Sequence, residues 1–177
     1  AAFGGATCIK TVVVHDKVTK IGGAPFGGCT NLESLTVPFL SEAIDSTNEY
    51  VIGLGYIVGT VPNSLRHVKI TAATEIPSKA FYNCSYIVSV ELPETLVDIN
   101  AQAFYGCTSL ISIKLPASLS YIGSQAFNRC DKLIDIYNGS SWDLSYNFTN
   151  SNLDDYAKNI YTEKGGSKLV TSGDYIF

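Results

Sequence analysis

Four cysteines stand three residues after a phenylalanine: Cys29, Cys84, Cys107 and Cys130. Thiols in a regular series can hold a metal, act as nucleophiles or pair as disulfides. Zinc sites draw on paired C-x-x-C ligands, whereas Cys84, Cys107 and Cys130 recur singly, once every 23 residues. If successive units stack, neighbouring Cα atoms come near the bridging range, so a disulfide is geometrically open. Five cysteines leave one over, and a buried free cysteine behaves as a small hydrophobe. The series reads best as a reduced core column. Cys8 is out of phase and receives no role.

The other chemistry-bearing residues are scattered. His15 follows the run Val12-Val13-Val14 and belongs in a turn; His67 falls on an outward strand position. A catalytic histidine must reach a nucleophile and an orienting acid, and no Ser or Cys forms a recognisable elbow with either. Gly53-Leu-Gly55 with Gly59 is neither G-x-G-x-x-G nor a P-loop, since no Lys-Ser/Thr follows and no helix is expected next. Its glycines suit tight turns. Asp154-Asp155 are consecutive, so on a helix they do not face each other, and capping suits them better than acid–base work. The sequons at Asn83, Asn138 and Asn147 matter only in a eukaryotic secretory pathway. We expect no catalytic residues, no metal and no cofactor.

Composition narrows the classes further. The chain has 177 residues, 46% of them hydrophobic, and a net charge of -4. That supports a sizeable core and argues against nucleic acid, which needs a basic footprint. No apolar run approaches the ~20 residues of a membrane span. The opening AAFGGATC lacks the basic and apolar regions of a signal peptide. With no Met anywhere, we expect a processed or excised piece of something longer.

What would position these residues is a repeat. Phe3 and Phe26 are 23 residues apart, as are Phe81, Phe104 and Phe127. Six residues after each Phe comes an aliphatic (Ile9, Leu32, Ile87, Leu110, Leu133), nine after another (Val12, Leu35, Val90, Ile113, Ile136). Eleven after stand Val14, Val37, Leu92 and Leu115, and Pro38, Pro93 and Pro116 follow. Ile21, Ile76, Ile99 and Ile122 stand five before a Phe. Leu65, Val68 and Ile70 keep the spacing if Gly59 takes the place of Phe, after an insertion at about 39–58. Six coils thus begin at Phe3, Phe26, Gly59, Phe81, Phe104 and Phe127.

Such a period means stacked units, none able to bury its apolar face alone. VSVEL and ISIKL alternate as strands do, always in the same sense, so the strands stack in parallel and Pro ends each one. TLVDI and SLSYI supply a second short extended piece, and SQAFNRC a helical turn that closes the coil. We expect an α/β solenoid, a leucine-rich-repeat-like parallel array of about six coils over 1–137. Residues 138–177 form a C-terminal cap that continues into a truncated region. Within it, Leu153 to Asn159 suits a short helix capped by Ser151 or Asn152, Ile160 to Val170 a hairpin, and Trp142 a cover for the last coil. Asp174 to Phe177 reads as the start of another strand.

The working surface is then the strand face. Residues eight after the Phe position are Thr11, Ser34, His67, Ser89, Ser112 and Asp135; residues ten after are Val13, Thr36, Lys69, Glu91, Lys114 and Tyr137. Core positions barely change between coils, whereas these do. Solvent-facing positions vary in any case, and Lys69, Glu91 and Lys114 also fit a cross-strand charge ladder. The candidate ligand-binding residues are Ser34, Thr36, His67, Lys69, Ser89, Glu91, Ser112, Lys114, Asp135 and Tyr137, with His67 and Tyr137 as anchors. The apolar stretch from Tyr50 to Val58 is a second candidate patch.

IGSQAFNRCDKLIDI, INAQAFYGCTSLISIKLP and IPSKAFYNCSYIVSVELP resemble BspA-like leucine-rich repeats, over about residues 1 to 137. The resemblance implies surface display and adhesion: a non-catalytic, extracellular, secreted or cell-surface module. Its expected partner is a host or neighbouring-cell surface or matrix protein, or a glycan, with no nucleic acid and no membrane insertion. A structural spacer is the alternative, and a hydrolase the third reading. Where Ala6 replaces Cys, and where Asn138 and Gly139 replace the aliphatic and Pro of the last coil, the pattern departs.

Overall fold

A computed structural model describes residues 2–40, 53–140, 159–162 and 168–169. The expectations for residues 50–52, Trp142, Asn147, the 153–158 helix, the 164–166 turn and the 174–177 strand lie outside them.

One strand per coil is the organising feature. β1 (Thr11–Val13), β2 (Ser34–Val37), β3 (His67–Ile70), β5 (Ser89–Glu91), β7 (Ser112–Leu115) and β9 (Asp135–Asn138) lie side by side, all parallel. The register is that of the repeat: Val12 pairs with Leu35, Leu35 with Val68, Val68 with Val90, and Ile113 with Ile136. These inward residues are buried, as a period-two pattern on a one-sided sheet requires. A second parallel sheet is formed by β4 (Glu75–Ile76), β6 (Asp98–Ile99) and β8 (Tyr121–Ile122). It contains the expected second extended pieces.

The segment around each Phe is a third wall, and here the helical turn expected from SQAFNRC is corrected. Residues two before the Phe, Lys79, Gln102 and Gln125, have φ of 59, 57 and 55 degrees; those two after, Asn83, Gly106 and Arg129, have 56, 73 and 60 degrees. A left-handed residue on each side stops a helix from propagating. The wall is instead bonded between coils. Lys79, Phe81 and Asn83 donate their N–H groups to the carbonyls of Ala101, Ala103 and Tyr105, and Gln102, Phe104 and Gly106 to those of Ser124, Ala126 and Asn128. Helix is consequently scarce: among the described residues there is one, α1 (Leu54–Val58). The α/β label overstates it; the molecule is a parallel β-solenoid with leucine-rich-repeat spacing.

Helix α1 also corrects the phase of the third coil. Phe26 donates to the carbonyl of Ile57 just as Phe81 donates to that of Ala103, so Val58, not Gly59, occupies the Phe position. Leu54, Ile57 and Val58 are buried, filling the gap between two aromatic stacks. Phe3 lies on Phe26 at 5.4 Å, and Phe81, Phe104 and Phe127 succeed one another at 4.9 and 5.0 Å. Leu54 N–H donates to the carbonyl of Ala80, so this glycine-flanked helix start is spent on packing. In the described part of the apolar insertion patch, Leu54, Ile57 and Val58 are thereby buried and Tyr56 is half-buried.

The sheet runs past Tyr137. β10 (Asn159–Thr162) adds to β9 in parallel, Ile160 opposite Ile136, and β11 (Lys168–Leu169) adds to β10 antiparallel. Strands expected of the hairpin read at 160–170 therefore pair, while Asn159, read as a helix end, opens a strand. Asn138 keeps the inward place of an aliphatic at 2% exposure, its Oδ1 accepting from Ser140 N and Oγ.

Candidate binding face

All ten predicted face residues reach one surface. Ser34, His67, Ser89, Ser112 and Asp135 form one cross-strand row, which begins at Thr11. Thr36, Lys69 and Glu91 form the next, and the register carries it on to Lys114 and Tyr137. His67, Lys69, Glu91, Lys114 and Tyr137 are exposed, the other five half-buried.

The rows are already bonded within themselves. His67 Nδ1 and Ser89 Oγ share a hydrogen bond of 2.8 Å, and Lys69 Nζ meets Glu91 Oε2 at 2.7 Å. Lys114 meets Glu94 at 3.2 Å, in the turn after β5. Such exposed pairs contribute about 0–1 kcal/mol. The His67–Ser89 pair lies on an open surface, and among the described residues no carboxylate hydrogen-bonds to the ring, so the orienting acid of a nucleophilic site is missing.

Residues the repeat did not announce complete the face. Asn159 Nδ2 donates to Asp135 Oδ1 at 2.8 Å, and the Tyr161 ring stacks on Tyr137 at 5.0 Å with 14 degrees between planes. The Tyr161 phenol is raised above its usual pKa by desolvation, then by the charge of Asp135 and by Tyr137. Along the margin of the face, Val88, Ile111 and Ile134 stand one residue before the first row. Ile111 is 45% and Ile134 38% exposed. The cue for these was the aliphatic seven residues after Phe81, Phe104 and Phe127; for Tyr161 no periodic cue existed.

The thiols behave as structure. All five cysteines are free; Cys8 is exposed and the other four are buried. Cys29, Cys107 and Cys130 each donate S–H to the carbonyl of the Phe one coil back, Phe3, Phe81 and Phe104, at 3.3, 3.2 and 3.2 Å. Burial pushes Cys84 and Cys130 up to about 12 and Cys107 well above the ordinary thiol value. Protonated donors of this kind are poor nucleophiles and poor metal ligands. Among the described residues no group of three or more His, Cys, Asp or Glu could hold a metal, and no helix is long and apolar enough to cross a membrane.

An open pocket of about 430 Å³, lined by Lys20, Ile21, Phe39, Tyr56, Ala73 and Glu75 among others, lies beside Leu40. Residues 41–52, which follow Leu40, are outside the described set.

A family model described as a BspA type leucine rich repeat region matches the chain in six copies, over residues 1–51 and 62–165. The unmatched interval contains α1. A solved leucine-rich repeat protein from Bacteroides ovatus ATCC 8483 is 24% identical with a TM-score of 0.53, covering 89% of this chain and 43% of its own. A leucine-rich repeat protein from T. pallidum is 23% identical, TM-score 0.44, covering 73% and 58%. A leucine rich cell surface protein from Faecalibacterium prausnitzii A2-165 is 21% identical, TM-score 0.43, covering 78% and 42%. The chain spans about half the length of these structures. No curated protein matches it.

Proposed function

Because this chain belongs to the BspA-type leucine-rich repeat family, we propose that it is a non-catalytic adhesion module whose strand face binds a protein outside the cell. The observation that carries this reading is the face itself. In its second row, Thr36, Lys69, Glu91, Lys114 and Tyr137 place different chemistry at equivalent positions of a rigid ladder, where the scaffold beneath them hardly varies. The extracellular location rests on family membership alone.

The aromatic pair favours a protein over a glycan. Sugar recognition uses an open ring face as a platform. Tyr137 and Tyr161 spend one face of each ring on the other, at 5.0 Å, which leaves less open ring face for a sugar. Ring edges and hydroxyls suit backbone carbonyls and carboxylates of a protein surface.

A spacer is the second reading, and one observation favours it. His67 with Ser89, Lys69 with Glu91 and Asp135 with Asn159 are satisfied by each other, as an inert face would be. The experiment is a binding screen of the immobilised chain against host-surface and matrix glycoproteins, repeated with Lys69→Ala, Glu91→Ala and Tyr137→Ala. A ligand weakened tenfold or more by these changes supports adhesion. Binding indifferent to all three, or none, leaves the spacer.

A further inference from the structure

The margin of the face carries a feature that the binding rows do not use. Exposed Ile111 and Ile134, with half-buried Val88 beside them, form an apolar ridge on three successive rungs. Their backbones are bonded in line: Ile134 N–H donates to Ile111 O, and Ile111 N–H to Val88 O. The line continues to Arg66, whose carbonyl accepts from Val88 N–H, and whose guanidinium lies 5.6 Å over the ring of Tyr86. Tyr86 is itself 46% exposed.

We infer that this ridge seats an amphipathic α-helix of the protein ligand, laid along the solenoid axis. The inference rests on the adhesion reading and names the form of the partner. Two properties of the ridge select a helix. The first is spacing. Stacked rings on successive rungs lie 4.9 and 5.0 Å apart, so the ridge presents an apolar side chain at about that interval. A helix returns a residue to the same side every turn, about 5.4 Å, while an extended strand does so about every 6.7 Å. Over the three steps from Arg66 to Ile134 the helix drifts by about 1.5 Å and the strand by about 5 Å, a whole rung. The second is charge. Arg66 stands at one end; its neighbour on the next rung, Glu33, is paired with Lys10 at 3.0 Å. At the other end, Asp131 and Asp135 outnumber Lys132. A helix carries a positive N-terminus and a negative C-terminus, so it fits with its N-terminus towards Asp135 and its C-terminus towards Arg66.

The probe is a capped synthetic peptide of about four helical turns, with Leu along one face and Gln elsewhere. Two controls share its composition: a scrambled sequence, and one with a central proline. Each is titrated into the chain carrying labelled isoleucine methyl groups. The expected result is that the amphipathic peptide alone moves the Ile111 and Ile134 methyls and gains helicity. Ile111→Ser and Ile134→Ser should weaken it at least tenfold, with folding checked by an unchanged thermal midpoint. Equal response to the scrambled or proline peptide, or methyls that do not move, overturns the inference. Lys69→Ala and Glu91→Ala separate the two readings. If the ridge is right they leave the peptide bound, whatever they do to a matrix protein. If a matrix ligand needs Lys69 and Tyr137 but ignores both serine variants, the adhesion reading stands and the helix does not.

Discussion

The Cys107 thiol donates to the carbonyl of Phe81, one coil back, at 3.2 Å. The same carbonyl already accepts from Cys84 N–H. Cys130 repeats the arrangement on Phe104 and Cys29 on Phe3. The recurring Cys is thus more than a space filler: Cys29, Cys107 and Cys130 each tie their coil to the one before through a group that must stay protonated, while Cys84 bonds within its own coil, to Tyr82 O.

Replacing that donor gives the first prediction. Cys107→Ser keeps an O–H for the Phe81 carbonyl, Cys107→Ala removes it, and Cys107→Val adds bulk without a donor. Thermal unfolding should rank them Ser above Ala above Val, with Ala costing about 1–2 kcal/mol for the lost bond and small void. Val equal to wild type would show that the S–H bond contributes nothing.

Thiol reactivity gives the second. Cys8 is exposed, while Cys29, Cys84, Cys107 and Cys130 are 2, 6, 0 and 0% exposed. A thiol reagent at pH 8 should modify one cysteine quickly in the native chain and four more only on unfolding. Fast reaction of more than one would contradict the buried column.

The third concerns pH. The folded values of about 12 for Cys84 and Cys130 lie above the ordinary 9.0, so the fold favours the neutral thiols. Their stability contribution is full below pH 9 and is lost as pH rises towards 12. The slope is at most about 1.4 kcal/mol per pH unit for each thiol. Urea unfolding between pH 8 and 11 should show the decline, and Cys84→Ala with Cys130→Ala should flatten it. An unaltered slope in the double variant would assign the decline elsewhere.

The fourth tests how the insertion joins the array. Gly53 has φ of 75 degrees, and a Cβ there would lie 2.4 Å from Ala80 Cα. Gly55, two residues on and inside α1, has open space around it. Gly53→Ala should destabilise by more than about 2 kcal/mol through strain and displaced backbone, whereas Gly55→Ala should be neutral or raise the midpoint slightly. Equal effects would mean that α1 does not dock on the fourth coil.

These predictions draw unequally on the sequence. The inward columns were readable because the same residue types recur at one spacing, and repetition of that length has one stable outcome, stacking in register. The two face rows followed from alternation within each strand. The closing turns were not readable: Lys79, Gln102 and Gln125 are ordinary helix formers, and only the inter-coil bonds reveal why they adopt left-handed angles. Val58 replaced Gly59 as the Phe equivalent because the third coil gains a residue, which spacing alone distributes either way. Asn159 and Tyr161 were missed because the period fails after Asn138, although the strand continues the ladder. Glu94 was missed because its approach to Lys114 comes from a turn.

The fifth prediction separates scaffold from face. Lys69 and Glu91 are 52 and 67% exposed at their side chains, so Lys69→Ala should shift stability by less than about 1 kcal/mol while weakening ligand capture tenfold. A large loss of stability would instead make the pair part of the scaffold.

Hydroxyl-radical footprinting of the chain with a captured ligand reads the face most directly, since it reports which side chains become covered. Oxidation of His67 and Tyr137 should fall on binding, while Tyr121 on the second sheet, 48% exposed, keeps its rate. Cover over Tyr121 with His67 and Tyr137 still open would contradict the account.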